Sequence, residues 1–225
     1  MNIQCVVFDM AGTTVNEDNI VYKTLQKSLN LHGVAVDLNH VLLQGAGKEK
    51  FQAIKDIISN SSFQLDELAQ LEIFNHFLVE LDQAYANFKV LPMKGAELVF
   101  AALKALGIKV VLNSGYNRAT AEGLLKQLEW VVGDQIDLLV TASDVLHNRP
   151  MPDMILYAKE QLQIADTKHM IKIGDSCIDI EEGKNAACLY SIGITTGAQT
   201  ETQLLLAKPD FILHELEALL PLVTK

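Results

Sequence analysis

The chain has 225 residues and a mass of 24.8 kDa, a length that fits one compact domain carrying an inserted subdomain. Hydrophobic residues make up 49% and charged residues 20%, which is ordinary globular usage and excludes a disordered or fibrous chain. The net charge of −10 comes without any basic block, so nucleic acid is excluded as an expected partner, because the average surface would repel a polyanion.

Cysteine usage and hydropathy bear on the location of the protein. The chain has three cysteines, Cys5, Cys177 and Cys188, which is an odd number and includes no CxxC pair. The first residues, MNIQC, lack the positive charge and the apolar core of a secretory signal. No apolar run approaches the roughly 18 residues that cross a bilayer. We therefore expect a reduced, cytoplasmic protein with no membrane partner.

The first predicted strand is the run QCVVF at residues 4–8, which is short, continuous and rich in β-branched residues. Such a run is typical of a strand that is buried on both faces of a sheet. Similar runs recur along the chain and end in polar residues: IKVVLNS (108–114), DLLVTAS (137–143), HMIKIGDS (169–176), LYSIGITTG (189–197) and the short DFIL (210–213).

Amphipathic segments of helix length separate these strands. Alternating strands and helices indicate βαβ crossovers, so we predict an α/β fold with a Rossmann-like, doubly wound parallel sheet. Ligands of such sheets bind at the carboxyl ends of the strands, where Asp9, Ser114, Ser143 and Asp175 stand. The predicted helices of this part of the chain are 95–107, 117–130, 152–164 and 178–188.

One section of the chain breaks the alternation of strands and helices. Residues 16–89 contain helical patterns and no convincing strand. A helical block inserted after the first strand is typical of a cap over the active edge of a sheet. We predict an α/β core formed by residues 1–15 and 90–225 and a helical cap formed by residues 16–89, with hinges near Asn16 and Leu91-Pro92.

Nucleophilic, cationic and acidic residues stand at the predicted strand ends. Taken singly, an aspartate or serine there could cap a helix, and an arginine could form a surface ion pair. Together they supply a nucleophile, hydroxyls and amides for an anion, one cation and metal-binding acids, all at one edge of the sheet. These residues are Asp9, the turn Gly12-Thr13-Thr14, Ser114-Gly115, Arg149, Asp175 and Asp179.

This ordered set resembles the motifs of the haloacid dehalogenase superfamily, in its branch that forms an aspartyl-phosphate. The resemblance implies that Asp9 attacks phosphorus in line and that water then cleaves the phosphoaspartate. It implies Mg²⁺ held by the Asp9 carboxylate, the backbone carbonyl of Ala11 and Asp175, with Asp179 orienting metal-bound water. The implied contacts to substrate and phosphate are Gly12, Thr13, Gly45, Ser114, Gly115, Tyr116 and Arg149.

Ala11 occupies the position where ordinary phosphatases of this superfamily carry a second aspartate that serves as general acid and base. The motif DMAGTT resembles that of the phosphonoacetaldehyde hydrolases, which cleave a carbon–phosphorus bond through a Schiff base on a cap lysine. SGYNR (114–118) and Arg149 resemble further motifs of that branch. In QGAGK a glycine, Gly45, precedes a lysine by three residues, so the resemblance implies Lys48 as the imine-forming residue.

The cap also departs from that branch. A histidine expected three residues after the lysine is replaced by Phe51, and a methionine expected before the glycine of the turn is replaced by Gln44. Lys48 is therefore also open to a role as a phosphate-binding cation. Lys50 is expected to point elsewhere than Lys48, because residues two positions apart on a helix do not share a face.

Three functions follow from these residues. The first is a Mg²⁺-dependent hydrolase of a small phosphonate or phosphorylated metabolite, most similar to phosphonoacetaldehyde hydrolase. The second is a phosphatase or phosphotransferase for another small phosphorylated metabolite, similar to phosphoglycolate phosphatase. The third is a non-catalytic, phosphate-binding relative. The apolar residues of the cap helices could either form a homodimer with a second copy or serve the core of the cap itself.

Overall fold

The computed structural model describes residues 3–224, and parallel strands form the central sheet of this part of the chain. The first strand, Cys5–Asp9, is fully buried, as its unbroken apolar run predicts. The strands are β1 Cys5–Asp9, β2 Val15–Asn16, β3 Leu91–Pro92, β4 Lys109–Ser114, β5 Leu138–Thr141, β6 Met170–Gly174, β7 Tyr190–Ile194 and β8 Phe211–Leu213. The main sheet has the order β5-β4-β1-β6-β7-β8. The predicted parallel α/β sheet is therefore confirmed.

Helices cover the sheet and fill the predicted break in the alternation. The four helices predicted between the later strands are present as α5 to α8, each within a few residues of its predicted ends. The helices, in chain order, are α1 Ile20–Leu31, α2 Leu38–Gly45, α3 Lys50–Ser59, α4 Glu67–Asn87, α5 Ala96–Ala105, α6 Arg118–Gln127, α7 Asp153–Gln161, α8 Cys177–Asn185, α9 Glu201–Leu204 and α10 Leu220–Val223.

Helices α1 to α4, here called the four-helix segment (residues 20–87), pack on one another and bury an apolar face that includes Phe77 and Leu81. The segment is entered and left through the short antiparallel pair of β2 and β3, in which Val15 lies opposite Pro92. This pair lies where the hinges were predicted. The division into core and cap stays a prediction, and residues 1, 2 and 225 of the predicted core lie outside the described residues.

Sheet topology brings the predicted site residues together. Strand β1 lies between β4 and β6, with Asp9 in register with Asn113. The carboxyl ends of these three strands therefore meet at one edge, and each is followed by a loop that carries candidate residues. Ser143, in contrast, accepts a hydrogen bond from the backbone of Arg118 at the start of α6.

The connection between α2 and α3 reaches this edge of the sheet. Gly115, directly after β4, lies so close to it that a side chain at position 115 would meet the backbone oxygen of Lys48 at 2.5 Å. A glycine is required there because the two backbones are in direct contact. Within residues 3–224, none of the helices is both long enough and apolar enough to cross a bilayer.

Candidate active site

Asp9 is the centre of a buried polar cluster. It is 5% exposed, and its Oδ1 accepts a hydrogen bond from Nη1 of Arg149 at 2.6 Å. Burial raises the pKa of Asp9, the nearby Asp179 raises it further, and Arg149 opposes both effects. The hydroxyl of Thr14 donates to the backbone oxygen of Asp9 at 2.9 Å and fixes the turn that follows β1. The predicted nucleophile is thus held in a fixed orientation.

Arg149 lies behind this carboxylate and is itself buried. Its guanidinium donates to the backbone oxygen of Gly47 at 3.3 Å and to the side chain of Asn113 at 2.6 Å, and it pairs with Asp179 at 3.0 Å. Burial opposes the charge of Arg149, but the surrounding carboxylates outweigh burial and raise its pKa. Arg149 therefore joins β1, β4, α8 and the connection before α3 at one point.

Lys172 and Glu182 complete the cluster, and the sequence analysis did not identify either residue. Nζ of Lys172 lies 2.9 Å from Asp179 and 3.3 Å from Glu182, and it donates to Asn113 at 2.6 Å. Glu182 also pairs with Nε of Arg149 at 3.1 Å. A lysine inside the apolar strand β6 was the one visible signal, because a buried charge requires partners.

Three acids of the cluster could hold a metal ion. Asp9, Asp175 and Asp179 each offer a carboxylate oxygen within 4.8 Å of the others. With Glu182, four buried carboxylates face the buried cations Arg149 and Lys172, and one negative charge remains in excess even when the nearby Lys50 is counted as charged. Burial raises the pKa of Asp175 well above its usual value, and the neighbouring acids add to this effect. A divalent cation with a preference for oxygen fits both the charge and the ligands.

The two outer acids of this set have different partners. Asp175 accepts a hydrogen bond from the backbone of Ala198 at 2.5 Å, and Gly12 lies directly against it. Asp179 accepts a hydrogen bond from the Ser176 hydroxyl at 2.5 Å. Although burial raises the pKa of Asp179, its pairing with cations outweighs burial and lowers the pKa below its usual value. Asp179 is therefore engaged by the protein, and its role behind the metal ligands stays a prediction.

Hydroxyl groups stand at the same edge. Thr13 is fully buried, and its Oγ1 has no hydrogen-bond partner among the described residues. Such an unpaired buried hydroxyl is costly, and a bound anion would satisfy it. Ser114 is 3% exposed and accepts a hydrogen bond from the backbone of Tyr116 at 3.1 Å. Both residues of the SGYNR motif therefore lie at the end of β4.

The structure places the side chain of Lys48 outside this cluster. Its amine forms an ion pair with Asp56 on α3, and both side chains are partly exposed. Gly45, predicted to precede the reactive lysine, ends α2, where a side chain would meet Ala53 and Ile57 at 3.3 and 3.4 Å. Glycine at position 45 thus serves the packing of α2 against α3. The side chain of Lys48 therefore does not enter the cleft beside Asp9, and a contact of Gly45 with substrate stays a prediction.

Lys50 occupies the place that was predicted for Lys48. It is 7% exposed, donates to the backbone oxygen of Lys48 at 2.6 Å, and its Nζ lies 5.3 Å from the centre of the Tyr116 ring. Burial lowers the pKa of Lys50, although Asp9 acts in the opposite direction. Lys50 and Lys48 point in different directions, as expected, but Lys50 is the lysine buried at the cleft, because α3 begins at Lys50 and Lys48 belongs to the turn before it.

Gly47 makes this geometry possible. Its φ is +75°, a conformation that favours glycine, and it approaches Ser176 so closely that a side chain would collide with it. The backbone N–H of Gly47 donates to the hydroxyl of Tyr22 at 3.1 Å. Gly47 precedes Lys50 by three residues, the same spacing that relates Gly45 to Lys48.

Known proteins show the same organisation. A phosphonoacetaldehyde hydrolase from Latilactobacillus sakei is 30% identical to the chain over 199 residues, covering 84% of this chain and 74% of the relative. The phosphonoacetaldehyde hydrolase of Bacillus cereus (strain G9842) is 28% identical over 211 residues, covering 88% and 78%. A solved structure of a phosphonoacetaldehyde hydrolase like protein from Oleispira antarctica superposes with a TM-score of 0.87 at 21% identity, covers 100% of this chain and 92% of that chain, and shares its fold.

A family model agrees with these relatives. The model of haloacid dehalogenase-like hydrolases matches residues 3–187, which include β1, the four-helix segment, Arg149, Asp175 and Asp179. Because this match spans well over half of the chain and the matched residues form the cluster around Asp9, the protein belongs to the haloacid dehalogenase-like hydrolases.

Proposed function

We propose that the protein is a Mg²⁺-dependent hydrolase that cleaves the carbon–phosphorus bond of a small phosphonate, with phosphonoacetaldehyde as the expected substrate. The observation that carries this proposal is the buried amine of Lys50 in the same cleft as Asp9, where Ala11 stands in place of an acid. The names of the two curated relatives support the choice of substrate. The four-helix segment would be the cap that delivers Lys50.

Asp9 is the proposed nucleophile, because its carboxylate is fixed at the end of β1 beside Arg149. Attack on phosphorus would form an aspartyl-phosphate, which water then hydrolyses. The orphan hydroxyl of Thr13 and the hydroxyl of Ser114 would bind the phosphoryl oxygens, and Arg149 would contribute its charge from beside the nucleophile.

Lys50 would assist the departure of the leaving group, which Ala11 cannot do. A neutral amine adds to the aldehyde, water is lost, and a protonated imine remains on Lys50. When the carbon–phosphorus bond breaks, its electron pair moves into the imine and gives an enamine, so the leaving carbon needs no proton at that moment. A proton then adds to the enamine carbon and regenerates the imine, and hydrolysis of that imine releases the aldehyde product and restores the lysine.

Asp9, Asp175 and the backbone carbonyl of Ala11 are the proposed ligands of Mg²⁺. The fit rests on the excess of buried negative charge and on the hard oxygen donors of the cluster. When bound, Mg²⁺ would neutralise the charge of the phosphoryl group and of the acids that face it.

Borohydride trapping tests the imine. Phosphonoacetaldehyde and borohydride together are expected to convert Lys50 into a reduced secondary amine, which peptide mass spectrometry locates. The rate of trapping should rise with pH, because the amine must lose its proton before it attacks. Burial lowers the pKa of Lys50, so trapping should reach its plateau at a lower pH than with free lysine.

The site of the adduct decides the proposal. A reduced adduct on Lys48, or none on any lysine together with no release of phosphate, would contradict it. Albumin or another protein with exposed lysines, treated in parallel, gives the rate of nonspecific modification that the Lys50 adduct must exceed.

Mg²⁺ is expected to stabilise the folded protein, because it binds a site that exists in the folded state alone. At a concentration of about 100 times Kd the gain is about 2.7 kcal/mol, or roughly 5 to 10 °C in Tm. The variant D175N should lose most of this shift, since it removes one ligand charge. The control E160Q, on the exposed face of α7, should keep the full shift. An equal shift in D175N and in the unmodified protein would exclude the proposed ligand set.

A phosphatase for another small phosphorylated metabolite is the alternative, and the position of Lys50 favours it as a second candidate. The cation could bind a phosphate group directly, since it lies buried near Asp9. This enzyme would hydrolyse aryl phosphates, whose leaving groups need no proton, and it would give no borohydride adduct. A homodimer through the cap and a cytoplasmic location stay predictions from the sequence.

A further inference from the structure

A buried glutamate takes no part in the steps above. Glu17 lies between β2 and α1 and is 2% exposed. Its Oε2 accepts hydrogen bonds from the backbone N–H of Val21 at 3.0 Å and from the hydroxyl of Tyr85 at 3.1 Å. An exposed acid could accept a hydrogen bond from the first turn of α1 equally well, whereas burying a carboxylate costs free energy. The position of Glu17 therefore points to a role beyond the helix.

Two tyrosine hydroxyls extend from Glu17 toward the cleft. The hydroxyl of Tyr85 lies 2.7 Å from that of Tyr116. A phenol has a single hydrogen, and Tyr85 uses its hydrogen to donate to Glu17, so Tyr116 must be the donor between the two tyrosines. The oxygen of Tyr116 is then left to accept a proton from the cleft. Each hydroxyl of this chain therefore donates its hydrogen bond in the direction of Glu17.

Lys50 lies over the ring of Tyr116, the tyrosine at which this chain of hydroxyls ends. Nζ of Lys50 lies 5.3 Å from the centre of the Tyr116 ring and 5.5 Å from the centre of the Tyr22 ring. The titratable groups that face Glu17 are Tyr22 on α1, Lys50 on α3, Tyr85 on α4 and Tyr116 after β4. Glu17 is the carboxylate among them.

We infer that Glu17, acting through Tyr85 and Tyr116, is the proton acceptor and donor for imine formation at Lys50. This inference rests on the proposed function, because it assigns the proton transfers that an imine on Lys50 requires. Glu17 does not touch the reacting atoms and acts through the two tyrosines.

The proton balance of the step is complete. The ammonium of Lys50 gives a proton to a water molecule in the cleft, and that water gives one of its protons to Tyr116. Tyr116 passes its own proton to Tyr85, and Tyr85 passes its own to Glu17, which becomes a carboxylic acid. The neutral amine then forms a bond to the aldehyde carbon, and its proton moves to the former carbonyl oxygen. Glu17 returns its proton along the same path, the hydroxyl leaves as water, and the protonated imine remains.

The pKa shifts of Glu17 and Lys50 favour proton transfer between these two residues. Burial raises the pKa of Glu17, and its hydrogen bonds oppose this effect in part. Burial lowers the pKa of Lys50. The two shifts bring the proton affinities of acid and amine closer together, which lowers the cost of moving a proton between them. Burial also raises the pKa values of Tyr85 and Tyr116, so both hydroxyls stay neutral.

The variant E17Q tests the inference, because glutamine keeps an acceptor oxygen for Val21 and Tyr85 but cannot take up the proton. The rate of reduced adduct on Lys50, with phosphonoacetaldehyde and borohydride, is expected to fall by about 100-fold. The loss should appear at saturating aldehyde with an unchanged half-saturating concentration, since binding is not affected. The matched control E72Q, on the exposed face of α4, should react as the unmodified protein does.

Two further variants separate proton transfer from structure. Y85F interrupts the hydroxyl chain and keeps the ring, so it should lose a similar factor. E17D keeps the acid and should recover part of the rate. Equal Tm values for these variants and the unmodified protein show that each compared rate belongs to folded enzyme.

The outcomes are distinct. If the unmodified protein gives no adduct on Lys50, the proposed function fails and the inference fails with it. If the unmodified protein gives the adduct and E17Q or Y85F forms it at the same rate, the inference alone is wrong. A fall in E17Q that E17D does not restore would assign Glu17 a structural role and would also overturn the inference.

Discussion

The variant D9N is expected to lose phosphate release by about 10⁴-fold or more, whichever phosphorylated or phosphonate substrate is used. An amide oxygen cannot form the covalent bond to phosphorus that the proposed mechanism requires. Asparagine has the same size and still accepts the hydrogen bond from Arg149, which lies 2.6 Å from Oδ1 in the native site. The loss should therefore come from chemistry and not from a rearranged site.

Phosphate release and intact mass measure this effect. The unmodified protein, quenched in acid during turnover, should carry one phosphoryl group on Asp9, and D9N should carry none. The control D82N changes an exposed aspartate of α4 and should behave as the unmodified protein. Retention of activity in D9N above one hundredth of the original would exclude Asp9 as the nucleophile.

The variants of the two neighbouring lysines give the second large effect. K50A is expected to lose turnover of phosphonoacetaldehyde by about 10³-fold or more. The other buried amine among residues 3–224, that of Lys172, is held by Asp179, Glu182 and Asn113 and cannot take over the covalent role. K48A should keep turnover within about twofold, since its side chain pairs with Asp56 and its backbone oxygen, which binds Lys50, is unchanged. The measured quantity is kcat for phosphate release.

K50R separates the two enzyme functions. Arginine keeps the positive charge but forms no imine, so phosphonoacetaldehyde turnover should stay lost if the amine acts covalently. A phosphatase that uses Lys50 as a phosphate-binding cation would keep much of its activity in K50R. A larger loss in K48A than in K50A would restore the original prediction from the sequence.

Most of the fold could be predicted because the strands are buried on both faces. A run such as QCVVF has one stable environment, the middle of a parallel sheet, and β1 lies there. The ends were less certain: LYSIGITTG was predicted through residue 197, whereas β7 ends at Ile194. The pairing of β2 with β3 had no signal, because two residues carry no hydrophobic period.

The site residues that follow strands could be predicted from the sequence. Those that come together only through tertiary packing could not. Asp9, Ser114 and Asp175 follow strands, so the order of the chain alone places them together. QGAGKEK contains the spacing of glycine and lysine twice, as Gly45 to Lys48 and as Gly47 to Lys50.

Only the start of α3 at Lys50 decides between these two pairs, and helix ends are the least certain feature of a sequence. Glu17 and Tyr85, 68 positions apart, meet through tertiary packing that leaves no local pattern.

The backbone contact between Gly115 and Lys48 has a consequence for chemical selectivity. The amine of Lys50 is buried in the structure, in which the connection before α3 rests on the end of β4. Withdrawal of that connection would return the amine to solvent, where it holds its proton and is inert toward carbonyl compounds. In the proposed mechanism, a free aldehyde would then encounter a protonated, unreactive amine. Only a ligand that keeps the two backbones in contact would encounter the neutral, reactive amine.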